Sequence, residues 1–122
     1  MTPAFIALGS NIGDPLAQLR RAVEHLRALP QCSLETLSGI YRSVPLGPAD
    51  QPHYLNAVVG INSRLEPLAL LAQLQRIETL QGRERSQRWG PRTLDLDLLL
   101  FGDLVMTTPQ LTLPHPQMHL RN

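Results

Sequence analysis

The sequence contains no lysine; all eleven basic residues are arginine. A Walker-type phosphate loop, a Schiff-base nucleophile and a lysine general base are thereby excluded, and any phosphate this chain binds must be held by arginine and metal. Cysteine is nearly absent too. The single Cys32 rules out an internal disulfide and a cysteine-based zinc site. Aromatic residues make up 4% and the formal net charge is +1, which discourages an RNA-binding reading and leaves no long-range field to gather nucleic acid. Met1 to Gly9 lacks the basic start and long apolar stretch of a signal peptide, and no apolar run approaches membrane-spanning length. The expectation is a cytoplasmic monomer with neither a nucleic-acid nor a membrane partner.

What is present is a length of 122 residues with eleven prolines, enough for one domain that buries roughly two thirds of its unfolded surface. Residues 1–122 are therefore read as a single domain. Ala4 to Leu8 is a short apolar strand closed by Gly9-Ser10-Asn11. Asp14-Pro15 supplies a cap and first-turn proline for a helix marked by Leu16, Leu19, Val23 and Leu26. A second strand over 33–42, a proline-rich loop over 43–53 and a cleanly alternating third strand (Leu55, Ala57, Val59, Ile61) follow. Pro67 opens a second helix with Leu70, Leu74 and Ile77 buried, and Gly82 caps its end. Alternation resumes over 93–101, and 105–113 forms a hairpin. This order predicts an α+β, ferredoxin-like antiparallel sheet with helices packed on it, plus a C-terminal hairpin.

Asp95 and Asp97 are two apart on the last long strand, so their side chains share a face about 7 Å apart at Cα. Leu94, Leu96, Leu98 and Leu100 fall on the opposite face, as core. Taken alone, such a pair is more often a solvated strand face. Its like charges are nevertheless relieved by a divalent cation, and hard oxygen ligands without cysteine suggest magnesium. Arg83, Arg85, Arg88 and Arg92 immediately precede it. Guanidinium forks bind phosphate in bidentate fashion, so the two features together describe a nucleoside triphosphate site. Trp89 in the middle of that polar loop is expected to cover something, as a lid does. Gln75 and Glu78 share a helix face just before the loop, a pair that alone is most often surface. Tyr54 with Asn56 suits a flat hydrogen-bonding heterocycle or equally a strand-end tyrosine beside a surface asparagine. His115 lies between Pro114 and Pro116, as a phosphate donor or as loop punctuation.

The run R-W-G-P-R-T-L-D-L-D-L-L-L-F-G (Arg88 to Gly102) resembles the signature of the 6-hydroxymethyl-7,8-dihydropterin pyrophosphokinases of folate biosynthesis. A-L-G-S-N, Y-R-S-V-P-L-G, Q-P-x-Y-L-N-A, Q-R-I-E, G-R-x-R and L-P-H-P-x-M match further blocks in the same order. The resemblance implies diphosphate transfer from ATP to the reduced pterin, with AMP released. It implies that Asp95 and Asp97 hold two magnesium ions and that Arg83 and Arg92 engage the phosphates. It places Gln75, Glu78, Arg85, Arg88, Thr112, His115 and Arg121 around ATP. It places the pterin against Tyr54, with Ser43, Leu46, Asn56 and Asp95 around it and Trp89 closing over it.

Some positions depart from the pattern. Ser43 stands where threonine is more usual, a mild change that keeps the hydroxyl. Gln110 stands where some members have arginine and Pro116 where some have tyrosine, which implies weaker nucleotide affinity. The family continues past Arg121 with a phenylalanine that walls the pterin slot, whereas this sequence ends at Asn122. The expectation is a domain lacking the family's C-terminal segment, with weak Mg-ATP binding and poor turnover that the added segment restores. A nucleotide-binding module without turnover is the alternative to an active transferase.

Overall fold

The computed structural model describes residues 1–43, 54–82 and 94–116. β1 (Thr2–Ser10) leads to α1 (Pro15–Arg27). Asp14 caps this helix as expected: its Oδ1 accepts from the Ala17 N–H at 3.2 Å, with Pro15 in the first turn. β2 (Cys32–Leu37), β3 (Tyr41–Ser43) and β4 (Tyr54–Ser63) follow. α2 (Pro67–Leu80) ends at Gly82, whose φ of 85° is the left-handed conformation that closes helices at least cost to glycine. β5 (Asp95–Phe101) completes the main sheet, and β6 (Met106–Thr107) pairs with β7 (Thr112–Leu113) in the predicted hairpin.

The sheet runs β2-β4-β1-β5, with β3 also on β4 and every pairing antiparallel. Each strand-helix-strand unit thus straddles a strand of the other, which is the predicted ferredoxin-like α+β arrangement. Leu19, Ala22, Val23 and Leu26 of α1 and Leu70, Leu74 and Ile77 of α2 enter one cluster with Ala4, Ile6, Leu8, Val59, Ile61, Leu96 and Leu98. Both helices therefore cover the same face, and each fully buried leucine contributes about 2 kcal/mol. No helix among the described residues is long and apolar enough to cross a membrane.

Two expectations need correction. The strand predicted over 33–42 is split into β2 and β3. Ser38 donates its N–H to the Val58 carbonyl (2.9 Å) while its Oγ accepts the Val58 N–H (2.8 Å). A side chain so replaces a ladder carbonyl, and one more residue lies between Leu37 and Tyr41 than between their partners Val59 and Asn56. Leu100 is not core. The β1–β5 register shifts between Phe5 and Ile6, which pair with Leu100 and Leu98, so Leu99 has no opposite residue. Beyond this bulge the faces exchange, and Phe101, 7% exposed, takes the core position intended for Leu100.

On the face away from the helices, Gly60 lies under the Phe5 ring. A Cβ there would stand 2.5 Å from Thr36 Oγ1 and 3.0 Å from Phe5 Cε1. Gly60→Val should therefore destabilise the fold by about 2 kcal/mol or more, in the range of overpacked sites. Adding Thr36→Ala should recover part of the loss in urea unfolding. Equal midpoints for Gly60→Val and the parent would contradict this packing.

Candidate active site

The pairings of β1 arrange the face away from the helices in rows. Gly9 pairs with Asp95 on one side and Asn56 on the other, and Asn56 pairs with Tyr41. In the next row Ala7 lies between Asp97 and Val58, and in the third Phe5 lies between Leu100 and Gly60. With about 4.8 Å between strands, Asp95 and Asn56 stand roughly 10 Å apart across Gly9. The floor between them has no side chain. Tyr54 adds a wall: a Cβ on Gly9 would lie 3.5 Å from Tyr54 Cδ1 and 3.4 Å from Asn56 Oδ1. Asn56 is 9% exposed, and its Nδ2 points back to the Tyr41 and Tyr54 carbonyls at 3.4 Å. Its carbonyl oxygen lies on the Gly9 side, and an amide oxygen is an acceptor.

Asp95 and Asp97 are both half-buried on this face, as expected from the alternation. The bulge then brings in the hairpin. The Leu99 carbonyl accepts the His115 N–H at 2.9 Å, and His115 Nε2 comes within 3.8 Å of Asp97 Oδ1. A pocket of about 230 Å³ lies beside this contact, lined by Leu71, Asp97, Gln110, Thr112 and His115 among others. Its lining mixes leucines with polar residues, the Asp97–His115 contact among them, as small-ligand sites do. A larger hollow of about 400 Å³ lies along α1, between Asp14 and Glu24; it contains none of the expected site residues and lacks convergent chemistry.

The structure thus gathers Asp95, Asp97, Thr112 and His115 along β5, and Tyr54 and Asn56 across Gly9. Gln75 and Glu78 both lie on α2, three positions apart; Gln75 is exposed, whereas Glu78 is 3% exposed and its Oε2 accepts the Leu96 N–H at 2.8 Å. Ser43 forms the end of β3, opposite Tyr54. Leu46, Arg83, Arg85, Arg88, Trp89, Arg92 and Arg121 lie outside the described residues. Sequence reasoning missed Gly9 and Tyr41. The signal for Gly9 was available, since a glycine inside a strand marks a site where something approaches the backbone closely.

Two carboxylates on one face fit magnesium, which takes one or two protein carboxylates and completes its shell with water and phosphate. Among the described residues no group of three or more His, Cys, Asp or Glu is placed to hold a metal.

Residues 5–122 match the 7,8-dihydro-6-hydroxymethylpterin-pyrophosphokinase family. The chain is similar to proteins named 2-amino-4-hydroxy-6-hydroxymethyldihydropteridine pyrophosphokinase. One from Haemophilus influenzae is 52% identical, covering 99% of this chain and 76% of the relative. One from Bacillus subtilis is 48% identical, covering 97% and 71%. One from Pseudomonas putida is 49% identical, covering 95% and 96%.

Asp95→Asn and Asp97→Asn should each abolish magnesium-dependent binding of a nucleoside triphosphate in calorimetry while the melting temperature stays level or rises slightly, because repulsion is relieved. Undiminished affinity in both variants would remove the carboxylates from the site.

Proposed function

The chain belongs to the 7,8-dihydro-6-hydroxymethylpterin-pyrophosphokinase family, and from that premise we propose that the pterin lies across Gly9 and the nucleotide along the outer edge of β5. The enzyme is a transferase of folate biosynthesis that moves diphosphate from ATP to the reduced pterin. The observation that carries the placement is the register of β1, which sets Asp95, Gly9, Asn56 and Tyr41 in one row. A flat heterocycle needs a floor without side chains, an aromatic face and an amide at its edge. Gly9, Tyr54 and Asn56 supply these, and Asp95 closes the far end, where the hydroxymethyl group would lie.

The pterin hydroxyl oxygen attacks the β-phosphorus of ATP. The bond from that phosphorus to the oxygen bridging the α-phosphate breaks, AMP departs with that oxygen, and the hydroxyl proton is released. Asp95 and Asp97 would hold two magnesium ions, which when bound with ATP offset the phosphate charge. The pocket beside Asp97, with Thr112 and His115, takes the nucleotide, and His115 is aimed by its backbone bond to Leu99. The matching motif supports Arg83 and Arg92 as the guanidinium partners of the transferred group, Arg85, Arg88 and Arg121 as further ATP contacts, and Leu46 and Trp89 as pterin contacts. Gln75 stands on the exposed face of α2, open to the nucleotide.

The deciding experiment mixes the protein with magnesium, ATP and 6-hydroxymethyl-7,8-dihydropterin and identifies the nucleotide product. AMP is expected; ADP alone, or binding without release, would overturn the reading. For the pterin floor, Gly9→Val should raise the KM for pterin by roughly tenfold or more while the KM for ATP moves by less than about threefold, since only one subsite loses volume. Equal rises in both would displace the pterin from Gly9.

A further inference from the structure

Among the described residues β5 is the last strand on its side of the sheet, so alternate peptide groups along it have no neighbouring strand there to bond. The Leu96 N–H, between the two aspartates, is met from the helix layer: Glu78 Oε2 accepts it at 2.8 Å. Glu78 is 3% exposed, and a carboxylate buried to that degree carries a desolvation cost that a neutral acceptor would avoid. A carboxylate accepting a backbone amide makes a bond about twice as strong as a neutral pair. The peptide plane that carries this N–H joins Asp95 to Leu96, so holding it restricts ψ of Asp95 and φ of Leu96. Those torsions set the directions in which the Asp95 and Asp97 side chains leave the strand. Further along the same edge, the His115 N–H holds the Leu99 carbonyl at 2.9 Å, so the strand is tied on both sides of Asp97.

We propose that Glu78 is a positioning residue for the divalent cation: by gripping the Leu96 amide it fixes the spacing and direction of the Asp95 and Asp97 carboxylates and so sets the metal affinity of the site. The proposal rests on the assignment of those two carboxylates to the cation. Magnesium tolerates little departure from octahedral geometry, so a strand edge left to twist would weaken it. Glu78 thus acts through the backbone of β5, from the layer behind the ligands.

Three variants separate this role from direct contact with cation or nucleotide. Glu78→Gln keeps an acceptor of the same reach and removes the charge. Glu78→Asp keeps the charge and loses one methylene of reach, and Glu78→Ala loses both. Mn²⁺ binding in the presence of a non-hydrolysable ATP analogue, read by electron paramagnetic resonance, reports the cation without turnover. Hydrogen exchange of the Leu96 amide reports the grip. Glu78→Asp and Glu78→Ala should bind Mn²⁺ about tenfold or more weakly, the usual loss when an outer partner of a metal ligand is removed, and should exchange Leu96 faster. Glu78→Gln should stay closer to the parent on both measures. If the alanine variant does not fold, the order of Gln and Asp decides. Mn²⁺ affinity in Glu78→Asp equal to or above that in Glu78→Gln would show that charge matters more than reach and overturn the proposal. Fast Leu96 exchange with unaltered Mn²⁺ affinity would overturn it too. A parent protein that forms no AMP would count against the pterin reaction alone, because the Mn²⁺ order is measured without it.

Discussion

The antiparallel ladder between β1 and β5 sets Asp95 beside Gly9 and Asp97 beside Ala7, and the site depends on that register. A slip of one residue would turn both carboxylates toward the layer that holds Leu8, Leu96 and Leu98, at a cost of several kcal/mol for each uncompensated charge. The same slip would bring leucines onto the face that now carries Asp95, Asp97 and Asn56. The hydrophobic layer beneath therefore enforces the geometry of the polar layer above it. Mutations far from the chemistry, in the core face of β5, would reach it by this route.

Both helices lie on one side of the sheet, and the composition of its other side changes along β1. Gly9 and Ala7 make a low floor at the end near the aspartates, whereas Phe5, Leu100 and Thr36 fill the far end around Gly60. The outer edge of β5 is occupied by Glu78 from the helix layer and by His115 from the hairpin. One strand thus presents carboxylates from its face, meets the pocket lined by Thr112 and His115 at its side and packs leucines below. This crowding of tasks explains why a short segment carries so much of the recognisable sequence.

Much of this was legible before any coordinates. Alternation placed Asp95 and Asp97 on one face and leucines on the other, and Asp14-Pro15 and Gly82 marked helix ends with residue types that have a physical reason to be there. The bulge was not legible. In Leu98-Leu99-Leu100-Phe101 every residue is apolar, so no polar side chain reports where the faces exchange. The break at Ser38 was hidden for another reason, since a hydroxyl standing in for a ladder carbonyl leaves no trace in periodicity. The bond from Glu78 to Leu96 spans helix and strand, and a contact across eighteen positions cannot be read from i, i+3 spacing, which set Glu78 beside Gln75. Gly9 was read as the end of a strand, although it lies inside one.

The unopposed Leu99 divides β5 into two stretches of opposite phase. Before it, even-numbered residues face the helices; after it, Phe101 does. Removing one residue from Leu98-Leu99-Leu100 would restore unbroken alternation with Phe101 still facing the helices, but would take away the bulge and the extra carbonyl that accepts the His115 N–H. Exchanging one of these leucines for another aliphatic residue would keep both. Over this stretch the chain can vary in composition far more freely than in length. Lineages that share the reaction should accordingly accumulate substitutions between the second aspartate and Gly102 but almost no insertions or deletions.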